Sequence, residues 1–270
     1  MGINMSTLSS LISGGGGGAL PQIALTQSQT WVPPQDGNVC IHVIGAGGAG
    51  LTHQSLQRGG GAGGYSKKNS LAVTTSGSYT VVVGVGGPRT KSGATASAGG
   101  NSTVAGTGLS ATLTANGGGA GNTGGIGGSG TAGTATGGDV NNSGGAGVNS
   151  SGGGAVGVYG TGDAGVSNIR GGQSDASGGG LPMSGFGQIV GGNAGAFQYA
   201  VGNQSGGGHV NAGDLSGGGS VNSSGTGTYH VGGNGGIGGG GGGVSSFNGA
   251  SYAIAGAGGD GLVLIQYLPS

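Results

Sequence analysis

Residues 38–50 read NVCIHVIGAGGAG. Val39, Ile41 and Val43 alternate with Cys40, His42 and Ile44, the period of two that marks a β-strand rich in β-branched residues. At Gly45 the apolar run gives way to glycine, and both halves of this pattern recur along the chain. Pro33-Pro34 bounds the strand on its upstream side, and Trp31 just before it is expected to anchor the frame. Tyr65–Thr74 and Ser78–Val85 repeat the strand pattern, joined at Thr75-Ser76-Gly77, which reads as a hairpin turn. Ser110–Thr114 gives another short strand, after which the strand signal stops until GLVLIQYL at 261–268. A segment that apolar belongs inside a sheet. The expected fold class is therefore all-β with irregular parts, a sheet frame closed by both ends of the chain.

Glycine is the feature the fold must accommodate, with 82 of 270 residues against a usual share of about 7%. Each ordered glycine in a helix or strand costs roughly 0.5–1 kcal/mol relative to alanine. Such a chain either stays unfolded or needs backbone without Cβ atoms. Disordered chains are poor in apolar residues and rich in charge, whereas this one is 33% hydrophobic and 4% charged. Collagen requires glycine at every third position throughout and abundant proline. Here there are six prolines, and the glycine phase breaks repeatedly.

Local runs do keep a period of three: Gly121, Gly124, Gly127, Gly130 and Gly133; Gly154, Gly157 and Gly160; Gly233, Gly236, Gly239 and Gly242. Three residues per turn is the geometry of the left-handed polyproline-type helix, which has no internal hydrogen bonds. Buried backbone groups must be paired, so such tracts are expected to bond to one another as an inserted bundle of polyglycine II helices. The resulting division is a leader at 1–22, a β-frame at 23–116, a glycine-rich bundle with recognition loops at 117–259 and a closing strand at 260–270. In the leader, Leu8, Leu11 and Ile12 fall at helical spacing, a segment too short to be stable alone and suited to docking.

Several function classes find no support in the residues. Six Lys/Arg against six Asp/Glu cannot form the basic patch that nucleic acid requires. No run of about 18 apolar residues is present to span a bilayer, and MGINMSTLSSLIS lacks the basic start and long apolar core of a secretory signal. The carboxylates are six scattered aspartates, and His42, His53, His209 and His230 share no metal-ligand spacing. The GxGxxG-like string after Ile44 lacks the following helix and acidic residue of a dinucleotide site. No catalytic residue, metal or cofactor is expected, and the chain reads as no enzyme. Cys40, the single cysteine, is expected to be a small buried hydrophobe.

The segments TWVPPQDGNVCIHVIGAGGAG (30–50), GGGAGGYSKKNSLAVTTSGSYTVVVGVGG (59–87), NSTVAG (101–106) and GAGGDGLVLIQY (256–267) together resemble glycine-rich tail-fibre and virion proteins of tailed bacteriophages. The likeness covers roughly 28–120 and 230–268; the middle matches in composition. In style the chain is similar to the glycine-rich adhesins at the tips of T-even long tail fibres, although its leader is unlike their attachment domain. The resemblance implies a virion protein of the tail or tail fibre, assembled in the host cytoplasm. Its partners would be a bacterial surface receptor, either an outer-membrane protein or a glycan, and other tail proteins, with a homo-oligomer as an option.

Where the glycine period lapses, aromatic residues gather. Tyr159, Phe186, Phe197, Tyr199, Tyr229 with His230, and Phe247 are candidate receptor contacts, because aromatics offer large contact area with few rotatable bonds. Capping of the bundle's apolar ends would use the same residues. Leu8, Leu11 and Ile12 are the candidates for attachment to the virion. The expected function is a tail-associated structural and receptor-binding protein. The alternative is a structural subunit of an extracellular filament or coat with no receptor, and ice binding by flat faces is a weaker third.

Overall fold

The alternation at Val39–Ile44 holds in three dimensions, because each side of that strand meets a different layer. The computed structural model describes residues 22–53, 58–91, 94–122, 129–149, 151–156, 160–165, 198–200, 221–223, 230–245 and 253–269. In chain order the strands are β1 (Gln22–Leu25), β2 (Gln29–Trp31), β3 (Gly37–Ile44), β4 (Thr52–His53), β5 (Tyr65–Val73), β6 (Tyr79–Val82), β7 (Ser102–Gly106) and β8 (Leu113–Ala115). They continue with β9 (Ala135–Thr136), β10 (Val140–Asn142), β11 (Gln198–Ala200), β12 (Val221–Ser223), β13 (His230–Val231), β14 (Val244–Ser245), β15 (Ala253–Ile254) and β16 (Leu262–Tyr267). No helix occurs among the described residues.

Two five-stranded antiparallel sheets form the frame, ordered β1-β16-β3-β5-β10 and β2-β6-β7-β8-β9. The late strand β16 sits between β1 and β3, with Val43 opposite Val263, Ile41 opposite Ile265 and Val39 opposite Tyr267. These six side chains face the second sheet, where they join Trp31, Tyr79, Val81, Val104 and Leu113 in one buried cluster. Each fully buried aliphatic side chain contributes about 1.5–3 kcal/mol relative to exposure, so this two-sheet core is the main apolar source of stability. The opposite face of β3 carries Cys40, His42 and Ile44, also buried, and its apolar part packs with Tyr65, Leu262, Leu264, Ala155 and Val156.

The Thr75-Ser76-Gly77 turn is not a hairpin. β5 lies in the first sheet and β6 in the second, so the turn is a corner that carries the chain across the sandwich. Gly77 N donates to Thr74 O at 2.8 Å, and Thr75 N to Asp36 Oδ1 at 2.7 Å. Two alternating strands in sequence fit a hairpin or a corner equally well; what decides is that both must bury their apolar faces against each other. The expected silence after Thr114 is also broken, since β9 and β10 add an edge strand to each sheet. Their short polar sequences, Ala135-Thr136 and Val140-Asn141-Asn142, carry no periodic apolar signal.

Beyond the frame, the backbone bonds to itself with a period of three. In residues 45–51, Gly45, Gly48 and Leu51 donate to Gly64, Gly61 and Arg58; Ala46 and Ala49 donate to Gly100 and Ser97; Gly47 and Gly50 donate to Gly259 and Gly256. One segment thus serves three neighbours in rotation, at 2.8–3.1 Å. The same count appears where Gly232, Gly235 and Gly238 donate to Ile254, Ala257 and Asp260. A Cβ at Gly47 would run into the Gly239 carbonyl, and one at Gly48 into that of Gly119. Ala46 and Ala49 are fully buried, so this segment needs glycine at two positions in three and accepts a methyl at the third.

The glycine layer grows out of the frame. Ile44 is paired with Tyr65 on one side and Leu262 on the other, and at that same end the three central strands run into glycine at Gly45, Gly64 and Gly261. The second sheet does likewise near Gly84, Gly100 and Asn116. Short parallel ladders join β11, β12, β14 and β4, and β13 with β15.

Candidate functional site

Arg58 precedes the glycine run 59–64 and is held by its own backbone, whose carbonyl accepts from Leu51 N at 2.8 Å. Its side chain reaches the turn at Val148–Ser151, where those two residues exchange backbone bonds of 2.9 Å around Asn149. Asn149 has φ of +46°, a conformation that asparagine tolerates better than most side chains. Arg58 Nη1 donates to Asn149 Oδ1 at 3.1 Å, which fixes the amide.

These two residues border a cleft of about 590 Å³, lined further by Ser129, Gly130, Thr131, Ala146, Gly147 and Val148. Its floor is glycine-layer backbone: Gly130 N donates to Gly59 O at 2.8 Å and Gly147 N to Gly130 O at 2.9 Å. The walls therefore combine a guanidinium, an amide and two hydroxyls with the apolar surfaces of Ala146 and Val148. That mixture suits a polar ligand with an apolar face, such as a sugar, with Arg58 able to favour a carboxylate or phosphate on it.

A second polar group lies inside, on the outer face of the first sheet. His42 Nδ1 is 2.7 Å from the Tyr65 hydroxyl, and its Nε2 is 3.0 Å from Gln266 Oε1 and 3.3 Å from Cys40 Sγ. His42 is only 2% exposed. Burial lowers its pKa to about 4, the Gln266 hydrogen bond opposing this and the Lys67 charge adding to it. The Cys40 thiol is pushed up, first by burial. A neutral imidazole beside a protonated thiol is the reverse of an activated Cys-His pair, so the cluster reads as structural.

A family described as a glycine-rich domain matches residues 23–268. The chain belongs to the glycine-rich domain family. No curated protein matches it. Within this glycine-rich domain the frame strands, but for Gln22 at the start of β1, and the described glycine segments fall inside the matched span.

Of the residues the sequence put forward as receptor contacts, Tyr159, Phe186, Phe197, Tyr229 and Phe247 lie outside the described residues, as do Leu8, Leu11 and Ile12. Tyr199 falls on β11, paired with Asn222 of β12, and His230 on β13, paired with Ala253; β12 contacts both of those strands. Trp31 is buried in the frame, and so is Cys40. The described residues hold no group of three metal-ligating side chains. The cleft residues Arg58, Ser129, Thr131 and Asn149 had no motif to mark them; the available signal is that each interrupts or borders a glycine run.

Proposed function

We propose that this glycine-rich domain is a non-enzymatic structural and receptor-binding protein of a bacteriophage tail, meeting the bacterial surface with side chains held on a glycine scaffold. The observation that carries the reading is the Arg58–Asn149 cleft, because its polar side chains stand on backbone that is hydrogen-bonded in three directions. A rigid floor lowers the ordering cost of binding. The resemblance to tail-fibre adhesins supplies the setting, with an outer-membrane protein or glycan as receptor and other tail proteins as neighbours.

Binding of the purified chain to whole host cells and to their isolated surface components tests it. Arg58→Ala is expected to weaken binding by about tenfold or more, the level of an interface anchor. Binding equal to wild type in Arg58→Ala removes the cleft from the site, and equal binding after combined alanine replacement of Phe197, Tyr199 and Tyr229 removes those residues. Antibody labelling of intact particles in the electron microscope tests the tail location.

The alternative is a structural subunit of a filament or coat. The outer face of the second sheet favours it, since Thr80, Val82, Thr103, Thr114 and Thr136 lie there in register without a charge, and Val82 is 40% exposed. Concentration-dependent assembly of the isolated chain, followed by sedimentation, supports that reading over the first.

A further inference from the structure

We infer that the His42 cluster is an acid-sensitive clasp: when the ring takes up a second proton, the seam between the first sheet and the glycine layer opens while the two-sheet core stays closed.

The geometry allows one neutral arrangement to satisfy every contact of the ring. Gln266 Oε1 accepts, so Nε2 carries the hydrogen, and Nδ1 accepts from the Tyr65 hydroxyl at 2.7 Å. The three groups come from β3, β5 and β16, the three adjacent strands that feed the glycine layer. A second proton has to enter at Nδ1, where the Tyr65 hydrogen already points. The hydroxyl must then turn that hydrogen elsewhere within a fully buried site, and the ring becomes a buried cation.

Among the described residues, no group facing the ring compensates that charge. Lys67 lies directly across on β5, with the same sign. Cys40 on the same strand is a thiol with a raised pKa, and Tyr65 is a phenol. Beyond Lys67, β10 brings Val140, while the nearby Asp139 is already bound to Lys68 Nζ at 2.8 Å and to Asn69 N at 2.8 Å. From the glycine layer, Ala155, Val156 and Ile237 pack on this face and carry no charge. A buried, uncompensated imidazolium is strongly disfavoured.

Acid therefore acts on one face of β3 only. The other face packs in a cluster of aliphatic and aromatic side chains that contains no histidine, carboxylate or amine. The histidine's lowered pKa, about 4 against 6.5, sets the window. The folded seam binds fewer protons than the open one, so its stability is complete above about pH 6.5 and is lost as pH falls toward 4. The opening equilibrium is expected to rise on the order of a hundredfold across that range.

Hydrogen exchange of the full chain, corrected for intrinsic rates and followed residue by residue from pH 7.5 to 4, tests the clasp. The reporters are Gly153 N and Gly240 N, which bond to Gly60 and Gly153 in the glycine layer, against Val81 and Val104 of the second sheet. Wild type is expected to lose protection at the first pair while the second pair holds, and His42→Gln to show little pH dependence at either. Tyr65→Phe, which removes the hydroxyl that donates to Nδ1, is expected to move the wild-type transition to higher pH. The inference is overturned by seam protection that does not change with pH, or by His42→Gln keeping the wild-type profile. Should that variant not fold, a Tyr65→Phe transition at or below the wild-type pH, or a His42 ring resonance titrating near pH 6.5 in wild type, overturns it equally.

Discussion

Trp31 and Tyr79 are direct cross-strand partners whose rings lie 5.1 Å apart at a 42° tilt. Both are almost fully buried, and they join the edge strand β2 to the second sheet at the corner of the sandwich. Trp31→Ala is expected to destabilise the chain by about 3–5 kcal/mol, combining lost burial with an unfilled cavity. Denaturant unfolding at neutral pH measures it, and a loss under about 1 kcal/mol would mean the corner is not part of the cooperative core.

Gly47 and Ala46 are neighbours with opposite tolerance. Gly47→Ala sets a methyl against the Gly239 carbonyl and is expected to cost at least about 1–3 kcal/mol, as overpacking does. Ala46→Gly leaves the packing open and is expected to cost less. Comparing their melting temperatures checks the ordering, and a reversed order would contradict the crowding at Gly47.

Asp139 accepts from Lys68 Nζ and from Asn69 N, and these two hydrogen bonds, in that order, hold its carboxyl below the usual carboxylate range. A lowered carboxyl pKa stabilises the fold above the unfolded value of about 3.9 and loses that contribution as pH falls below it. The pair is partly exposed, with 28% and 35% of the two side chains accessible, so Asp139→Asn is expected to cost no more than about 1 kcal/mol at pH 7. Above pH 5 the difference from wild type should be constant, and it should shrink at lower pH; a difference that grows on acidification would refute the assignment.

Cys40 is 4% exposed, and burial raises its pKa. A thiol in that state is expected to resist a thiol-reactive dye at pH 8 in the folded chain and to react promptly in denaturant. Prompt labelling of the native chain would show that the outer face of β3 is open to solvent.

The frame was legible because its signal is periodic. Val39–Ile44, Tyr65–Val73, Tyr79–Val82 and Leu262–Tyr267 alternate or run apolar, and each became a strand within three residues of its expected bounds. β7 has a single buried aliphatic side chain, Val104, between Ser102 and Gly106, so alternation alone could not announce it. The cleft was less legible still, because Arg58, Ser129, Thr131 and Asn149 meet only after three separate stretches of backbone have packed. Glycine's share pointed to close backbone approach, but not to the rule visible at 45–50, where two positions in three are forced and Ala46 and Ala49 occupy the third.

The place of β16 between β1 and β3 orders events in time as well as in space. Until residues 262–267 have been synthesised, the first sheet has a gap where β1 and β3 should be joined, and Gly47 and Gly50 lack their acceptors in 256–259. Contacts this distant in sequence carry a large loop-closure cost, which slows folding. The glycine segments whose acceptors lie in 254–260 must therefore wait on the ribosome with those backbone groups unpaired, a period in which holding by chaperones matters more than for a chain whose sheet closes as it emerges.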